Sequence, residues 1–583
     1  MRQVEAIDPN YGVVGPPVPS PTPAKKVAVF VAHGMGQQIP YQTLDQVAES
    51  LRKLDEAEGH RNAKPASRAL KFEDQWLQRV ELQLKTGADA VEAHVYEAYW
   101  APLTEGRTTT RNVVGFLAGA GMNGLSNGRG KFKRWLFNRY ADFPTPIRTV
   151  LLLFTALASV AALIAMNSTI ALVAAARALL AQRPQWLSDG LFADLTTTFN
   201  VVVTTFAVCA LFLFVAHAMR GFPVRRWIRQ VWSWLTLIVF SATIFVVILS
   251  GLSLVLLFVG HVRAMPGRGP IWYEFVRQPA LDAFNRTFDE WSWIIALSIA
   301  TVLALSWGGR IIMGFARDIA AARDRKLTAL IALGFVLLSM AIGWMIASFV
   351  QILGGPTAGG TVASARRALA WPLLVVASAY IRLIVVQYLG DVAIYVMPYK
   401  LDAFNDLRKE IKERVYKVAR AVYEQKQEPE GLHVYERVVV VGHSLGSVIA
   451  YDALNRLILE DESQAGSIDV VRRTPLFLTF GSPLDKTAFI FAVQGQGTSE
   501  ARESVVASMQ PLIQDYRFRP ERWINVFSPW DIISGSLDFY DLPEATDPRR
   551  VINEQDAEAT TLLIAHTEYW TGSLVMRRIY EAL

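Results

Sequence analysis

The stretch RVVVVGHSLGSVIAYDAL, residues Arg437–Leu454, joins a run of four valines to a segment of helical character. Its centre, GHSLG at positions 442–446, fits the pattern Gly-x-Ser-x-Gly. A serine on a sharp strand-to-helix turn takes an uncommon backbone conformation, and flanking glycines let strand and helix approach closely. The pattern therefore predicts that Ser444 is a nucleophile and not a hydroxyl that caps a helix.

The opening of the chain supplies a second motif. The apolar run KKVAVFVAHG, residues 25–34, predicts a buried strand and leads into HGMG, residues 33–36. Through the motifs HGMG and GHSLG, the sequence resembles the α/β-hydrolase superfamily, in particular its lipase and esterase-like members. The resemblance covers residues up to about 105 and from about 396 onward, and it implies a site that cleaves acyl esters.

The resemblance also implies a catalytic triad. A serine hydroxyl needs a base to take its proton, and the base needs a carboxylate to orient it. In this superfamily the chain order is serine, acid, histidine, and His566 is the one histidine after Ser444. Asp531 follows the strand-like RWINVFSP and is the predicted acid, whereas Asp485 in FGSPLD is the alternative acid.

An ester hydrolase further needs two donors where the oxyanion forms. The resemblance assigns them to the N–H groups of Leu445 and Met35. The residues expected to support the oxyanion loop and the elbow are His33, Gly34, Gly36, Gly442, His443 and Gly446. A dinucleotide-binding turn at GMG is rejected because its third glycine is missing.

No cofactor and no metal are expected. Five histidines outside these motifs show no metal-ligand spacing, and the single cysteine, Cys209, makes neither a zinc site nor an intramolecular disulfide. These histidines are His60, His94, His217, His261 and His433.

Long apolar runs occupy the middle of the chain. Of the 583 residues 52% are hydrophobic and 19% are charged, and a helix needs roughly 20 apolar residues to cross a bilayer. Six spans are predicted, at Thr149–Ile170, Asn200–Met219, Val231–Val259, Trp291–Trp307, Leu327–Leu353 and Ala368–Gln387. The basic aromatic stretch Lys131–Tyr140 is expected at the lipid head groups.

The predicted fold class is α/β. Strands separated by helices, with continuous apolar runs, indicate an α/β-hydrolase domain with a mostly parallel sheet. An all-α transmembrane bundle of about six helices is expected to interrupt it. The predicted divisions are a flexible Pro-rich arm (1–26), the first part of the hydrolase domain (27–130), the membrane domain (131–395) and the second part of the hydrolase domain (396–583).

Charge distribution indicates orientation and partners. Basic residues are most numerous before the first span, between spans two and three, between four and five, and after six, which predicts that both soluble parts face the cytoplasm. We therefore expect a multi-pass protein of the plasma, or bacterial inner, membrane. The net charge of +6 is explained by contact with anionic lipid, and no nucleic-acid partner is expected.

The predicted function is a membrane-anchored serine hydrolase that cleaves acyl esters, with lipids or phospholipids as substrate class. Two alternatives stay open. An acyltransferase would use the same triad, with an alcohol or lipid replacing water. A transporter or receptor would carry a hydrolase-like domain that only binds, although the spans hold almost no central ionisable residues of the kind found in ion pathways.

Overall fold

The structure is a computed structural model. It describes residues 5–6, 25–34, 40–60, 64–72, 75–86, 89–104, 131–146, 149, 167, 201–202, 204–209, 211–212, 215–216, 219, 225–263, 402–427, 431–464, 467–494, 500–561 and 565–583. The chain divides into two compact units. We call Met1–Leu152 with Gln387–Leu583 the sheet unit, and Leu153–Val386 the insertion unit.

The elements are numbered in chain order. The strands are β1 (Glu5–Ala6), β2 (Lys25–Ala32), β3 (Ala66–Phe72), β4 (Gln75–Leu84), β5 (Val91–Ala98), β6 (Lys131–Leu136), β7 (Arg139–Pro144), β8 (Lys426–Gln427), β9 (Leu432–His433), β10 (Arg437–His443), β11 (Leu476–Phe480), β12 (Arg522–Phe527) and β13 (Val551–Gln555). The α-helices are α1 (Gln42–Ala57), α2 (Arg226–Arg263), α3 (Asp402–Glu424), α4 (Leu445–Ser463), α5 (Val470–Arg473), α6 (Leu484–Gln494), α7 (Glu500–Ser508), α8 (Ala565–Glu568) and α9 (Ser573–Ala582).

Strands from both parts of the sheet unit form one mixed sheet. Among the described residues its order is β1-β3-β4-β5-β2-β10-β11-β12-β13. Neighbouring strands from β5 through β13 run parallel, whereas β1, β3, β4 and β5 pair antiparallel. Because β2 pairs with β10, the first and last parts of the chain share the centre of the sheet.

The central strands are buried on both faces, which explains their unbroken apolar sequences. Side chains alternate between the two faces of a strand. Val439 and Val441 of β10 join a core with residues of α1 and α9, such as Leu44 and Ile579. The opposite face of β2 and β10 is covered by α3 and α4.

The sequence pattern missed the outer strands β3 and β4. Their exposed positions carry charged and polar side chains, so neither strand has the long apolar run of β10. The two strands pair antiparallel from Ala66↔Glu81 to Phe72↔Gln75, with only residues 73 and 74 between them. A short connection allows antiparallel pairing, whereas parallel pairing needs a crossover.

The hairpin formed by β6 and β7 belongs to the sheet unit. Phe132 makes edge contacts with Phe489 and Phe539, at centroid distances of 5.2 Å and 5.0 Å. Phe137 stacks on Tyr516 at 4.3 Å. The stretch expected at lipid head groups therefore packs two of its aromatic side chains, Phe132 and Phe137, against other elements of the sheet unit.

One helix of the insertion unit is long and apolar. Within the described part of the chain, α2 alone is long and apolar enough to cross a membrane, over Arg226–Leu252. Several of its large apolar side chains are exposed, among them Trp234, Ile238 and Phe245. Trp232 stacks on Phe212 at a centroid distance of 4.8 Å.

The predicted fold class is wrong. The sheet is mixed, because antiparallel strands widen one side of it, and the described residues contain one helix suited to cross a membrane instead of a six-helix bundle. Hydropathy measures the length and apolarity of a segment, and neither property establishes that segments assemble into a bundle. The predicted spans Trp291–Trp307, Leu327–Leu353 and Ala368–Gln387 lie outside the described residues, as do Thr149–Ile170 apart from Thr149 and Asn167 and part of Asn200–Met219.

Candidate active site

Ser444 is the single residue between the end of β10 and the start of α4. Its backbone has φ 54° and ψ −133°, a strained conformation for a residue with a side chain. The backbone N–H of Ser444 donates to the Phe480 carbonyl at 3.0 Å, and its carbonyl accepts from the Ser447 N–H at 2.9 Å. Hydrogen bonds to the neighbouring strand and helix thus hold the turn in place.

Two glycines make this turn possible. A Cβ built on Gly442 would lie 2.5 Å from the Cα of Ser447. A Cβ on Gly446 would lie 2.2 Å from the Ala32 carbonyl oxygen. Both contacts are with backbone atoms and cannot be relieved by a side-chain rotation, so the strand, the elbow and the helix approach closely only with glycine at both positions.

A chain of hydrogen bonds links three side chains predicted from the sequence. The Oγ of Ser444 lies 2.8 Å from His566 Nε2, and His566 Nδ1 lies 2.9 Å from Asp531 Oδ2. Asp531 follows β12, and His566 lies in α8 after β13. Ser444 and Asp531 are at most 1% exposed, and His566 is 9% exposed. The structure therefore brings the three side chains together so that the Asp531 carboxylate can orient His566 toward the Ser444 hydroxyl.

Asp531 is held as a carboxylate. Burial raises the pKa of this group, but the charge of His566 and its hydrogen bond, together with bonds from the Ile533 N–H and Ser534, hold the pKa well below its usual range. The Ile533 N–H donates to Oδ1 at 2.8 Å. Because an ionised carboxylate only accepts, His566 Nδ1 carries the proton in that bond.

The tautomer follows from these contacts. With its proton on Nδ1, neutral His566 presents the lone pair of Nε2 to Ser444, whose hydroxyl donates to it. Proton transfer from Ser444 to Nε2 would leave an imidazolium beside the charged Asp531. The arrangement therefore can generate a serine alkoxide equivalent at the moment of attack.

A second histidine, His443, contacts His566, the predicted base. His443 Nε2 donates to the backbone carbonyl of His566 at 3.1 Å, and the two rings lie 5.0 Å apart. Burial, with the charge of His566 adding to it, lowers the pKa of His443 to about 3. His443 therefore stays neutral and fixes the position of His566, in keeping with its predicted role at the elbow.

His33 braces the end of β2. Its Nδ1 donates to the Gly34 carbonyl at 2.8 Å, and its Nε2 accepts from the Trp100 backbone N–H at 3.0 Å. The ring stacks on the Trp100 indole with an interplanar angle of 7°. Burial lowers the pKa of His33 to about 4. Both ring nitrogens are engaged with backbone groups, so His33 orients the strand end and takes no proton from Ser444.

One of the two predicted oxyanion donors lies in the described structure. Leu445 begins α4, and the first N–H groups of a helix have no partner within the helix. Its N–H directly follows the nucleophile, as required for a donor to the oxyanion. Met35 and Gly36 lie outside the described residues. Gly34 is described and lies directly against Ser444.

The alternative acid occupies a different position. Asp485 lies in the first turn of α6 and accepts hydrogen bonds from Lys486 Nζ at 3.2 Å and 2.9 Å. Its carboxylate makes no hydrogen bond to His566, whose Nδ1 faces Asp531. Burial raises the pKa of Asp485, and Lys486 opposes that rise. Asp485 thus contributes charge near the site without orienting the base.

Sequence inspection missed Tyr569. Its hydroxyl donates to Asp531 Oδ2 at 3.0 Å and lies 2.9 Å from Ser534 Oγ. Tyr569 lies three positions after His566 and directly follows the end of α8 at Glu568. A helix of four residues is too short to show a periodicity, so the sequence carries no signal for this contact.

The described residues also contain an acidic cluster around a histidine. Donor atoms of Glu81, Glu92 and His94 lie within 4.8 Å of one another. Glu81 pairs with Arg79, and His94 lies 2.7 Å from Glu92. Arg79 and the hydrogen bond between His94 and Glu92 therefore already engage these groups, which lie on β4 and β5.

No family model matches this chain, and no match is found among curated proteins or solved structures. The resemblance to α/β-hydrolases therefore rests on the motifs alone and stays a prediction.

Proposed function

We propose that this protein is a serine hydrolase that cleaves acyl esters through an acyl-enzyme intermediate. The observation that carries the proposal is the continuous hydrogen-bond chain from Asp531 through His566 to Ser444, set on a strained strand-to-helix turn. Because the chain carries the motifs HGMG and GHSLG, we also propose that it is an α/β-hydrolase.

The first half-reaction makes the acyl-enzyme. Ser444 Oγ attacks the ester carbonyl carbon as its proton moves to His566 Nε2, and the carbonyl oxygen becomes an oxyanion facing the Leu445 N–H. The C–O bond to the alcohol then breaks, and His566 gives its proton to the departing alkoxide. Asp531 stabilises the imidazolium throughout and stays ionised.

The second half-reaction regenerates the serine. His566 takes a proton from water, which attacks the acyl carbonyl carbon. The bond between the acyl carbon and Ser444 Oγ then breaks, and His566 returns that proton to Ser444 Oγ. The products are the carboxylic acid and free enzyme. If an alcohol replaces water, the same steps yield a new ester.

We further propose a lipid, phospholipid or other long-chain ester as substrate. The support is the apolar helix α2 carried by the same chain. An enzyme held at a bilayer avoids drawing acyl chains through water, which costs about 0.8 kcal/mol per methylene.

Membrane placement is part of this proposal. Arg225, Arg226 and Arg229 stand at the start of α2, and the basic-residue rule places that end in the cytoplasm. Because β2 and β10 pair in one sheet, a chain that crosses at α2 must cross an even number of times before it returns. We infer an integral, multi-pass protein of the plasma, or bacterial inner, membrane, with the sheet unit in the cytoplasm. A reporter fused after Leu583 that proves extracytoplasmic would contradict this topology.

Activity-based labelling tests the enzyme. Purified full-length protein in detergent should react covalently with a fluorophosphonate probe and hydrolyse p-nitrophenyl esters, with kcat/KM rising from acetyl toward longer acyl chains. Ser444→Ala should abolish both activities. Ser463→Ala, at the exposed end of α4, is the matched control and should behave like the parent. A folded parent that neither labels nor hydrolyses any ester would sink the proposal, and a new ester formed with an added alcohol would assign acyl transfer.

A further inference from the structure

Tyr569 places its hydroxyl on the same carboxylate oxygen that orients His566. The hydroxyl donates to Asp531 Oδ2 at 3.0 Å, and His566 Nδ1 lies 2.9 Å from that oxygen. Both Tyr569 and Asp531 are at most 1% exposed. Tyr569 and His566 therefore both donate to one buried oxygen of Asp531, and His566 is the predicted base.

The contacts of Asp531 fix the direction of the Tyr569 hydroxyl proton. Asp531 accepts only, so the one proton of the Tyr569 hydroxyl points at Oδ2. Ser534 Oγ lies 2.9 Å from the Tyr569 oxygen and also contributes a hydrogen bond to Asp531. The second carboxylate oxygen, Oδ1, accepts from the Ile533 N–H. Donors thus fix both oxygens of Asp531.

The tyrosine ring has little freedom to move. It makes an edge contact with Phe480 at a centroid distance of 6.0 Å. A Cβ built on Gly481, where φ is +57°, would lie 3.1 Å from a Tyr569 ring carbon. Burial and the charge of Asp531 raise the pKa of Tyr569 well above its ordinary value, so the hydroxyl stays protonated.

We propose that Tyr569 is a positioning residue that sets the basicity of His566 through Asp531. By donating to Oδ2, it draws negative charge away from the oxygen that faces Nδ1, and it holds the carboxylate in the orientation the base requires. The inference rests on the proposed hydrolase function, because basicity of His566 matters to turnover only if Ser444 is the nucleophile.

Other ionisable groups near the pair do not share this role. His443, at the end of β10, is neutral and donates to the His566 carbonyl. His33, at the end of β2, is neutral and engaged with backbone. Asp485, in α6, is ion-paired with Lys486, and burial raises its pKa, with the charge of Asp531 adding to the rise. Among these described groups, Tyr569 alone donates to the oxygen shared with His566.

Tyr569→Phe removes the hydroxyl and keeps the ring. One donor fewer on Oδ2 leaves more charge facing Nδ1, so His566 holds its proton more tightly and the acid limb of the kcat/KM profile moves to higher pH. With the carboxylate less firmly oriented, kcat should fall about tenfold while KM stays near the parent value. The pH dependence of the fluorophosphonate labelling rate should shift to higher pH in the same way.

Tyr580→Phe is the matched control. Tyr580 also donates to a buried aspartate, Asp55, but it lies in α9 and contacts no member of the predicted triad. Tyr580→Phe should lose as much stability as Tyr569→Phe. Its kcat and the acid limb of its kcat/KM profile should match those of the parent. A merely structural role for Tyr569 would make the two variants alike.

A second readout does not depend on turnover. In parent and Tyr569→Phe protein labelled with [15N]histidine, the His566 signal, assigned with His566→Gln, should titrate at a higher midpoint in the variant. If the parent neither labels nor hydrolyses esters, the proposed function fails and this titration still decides the role of Tyr569. An unchanged midpoint, or an unchanged acid limb and kcat in active protein, would overturn the inference.

Discussion

Gly34 and Ser444 lie against each other although they come from opposite ends of the chain. A Cβ built on Gly34 would lie 2.7 Å from the Ser444 Cβ and 2.9 Å from His443 Nδ1. The contact exists because β2 pairs in parallel with β10, with Ala32 opposite Gly442. The N-terminal part of the chain therefore forms one wall of the candidate site.

Gly34→Ala should impair catalysis more than folding. The new methyl group must displace the nucleophile or His443, and a shift of about 1 Å in a catalytic group costs on the order of 100-fold in rate. We expect a loss of that size in kcat and in fluorophosphonate labelling, measured beside thermal stability. Gly431→Ala is the control, because a Cβ there meets nothing within 4 Å but strains the backbone at φ +64°, so it lowers stability without touching the site. Parent-like labelling by Gly34→Ala would contradict the described close approach.

Asp531→Asn should be far more damaging than Asp485→Asn. The asparagine amide cannot stabilise the imidazolium and would favour the wrong His566 tautomer, so we expect kcat to fall by about 10⁴. Asp485→Asn removes a charge that pairs with Lys486 and makes no contact with His566, so its kcat should stay within several-fold of the parent. The measurement is steady-state hydrolysis by both variants, with circular dichroism to verify folding. The reverse ranking would move the role of acid to Asp485.

Stability should fall as the pH drops below 6.5. Burial lowers the pKa of His33 from 6.5 to about 4, so the folded state keeps this imidazole neutral while the unfolded chain takes up a proton. The stabilisation is present above pH 6.5 and is lost as the pH falls toward about 4. For His33 the full loss amounts to about 3 kcal/mol.

Urea unfolding of the sheet unit at pH 7.5, 6 and 5 measures this loss. His443 acts in the same direction, because burial lowers its pKa further, to about 3. His33→Gln cannot titrate and should show a flatter dependence of the unfolding free energy on pH. Identical slopes for parent and variant would show that His33 is protonated in the folded protein.

Phe245→Lys should weaken membrane association. Phe245 is 66% exposed on α2, so the substitution disturbs little packing within the described structure. A lysine near the middle of a spanning helix costs about 3 kcal/mol on insertion scales. We expect a larger fraction of the variant to be released by alkaline carbonate extraction, whereas Phe245→Leu should stay with the membrane. Equal retention of both variants would argue against α2 as a span.

The sequence alone determined the local features of this protein. Four valines followed by GHSLG define a buried strand and an elbow, because glycine spacing and apolar runs act over a few residues. The predicted strands at residues 25–34, at the four valines after Arg437 and at RWINVFSP correspond to β2, β10 and β12 of the structure. His566 could be chosen because the resemblance fixed the chain order and no other histidine follows Ser444.

Only the tertiary structure decided which distant segments meet. Strand order, the antiparallel side of the sheet and the packing of the β6–β7 hairpin depend on contacts between residues far apart in the chain, and local periodicity carries no information about them. The same holds for Tyr569, whose hydroxyl reaches Asp531 only after β12 and α8 are brought together. Hydropathy locates apolar segments in the sequence. How such segments pack with one another depends on partners that a single segment does not specify.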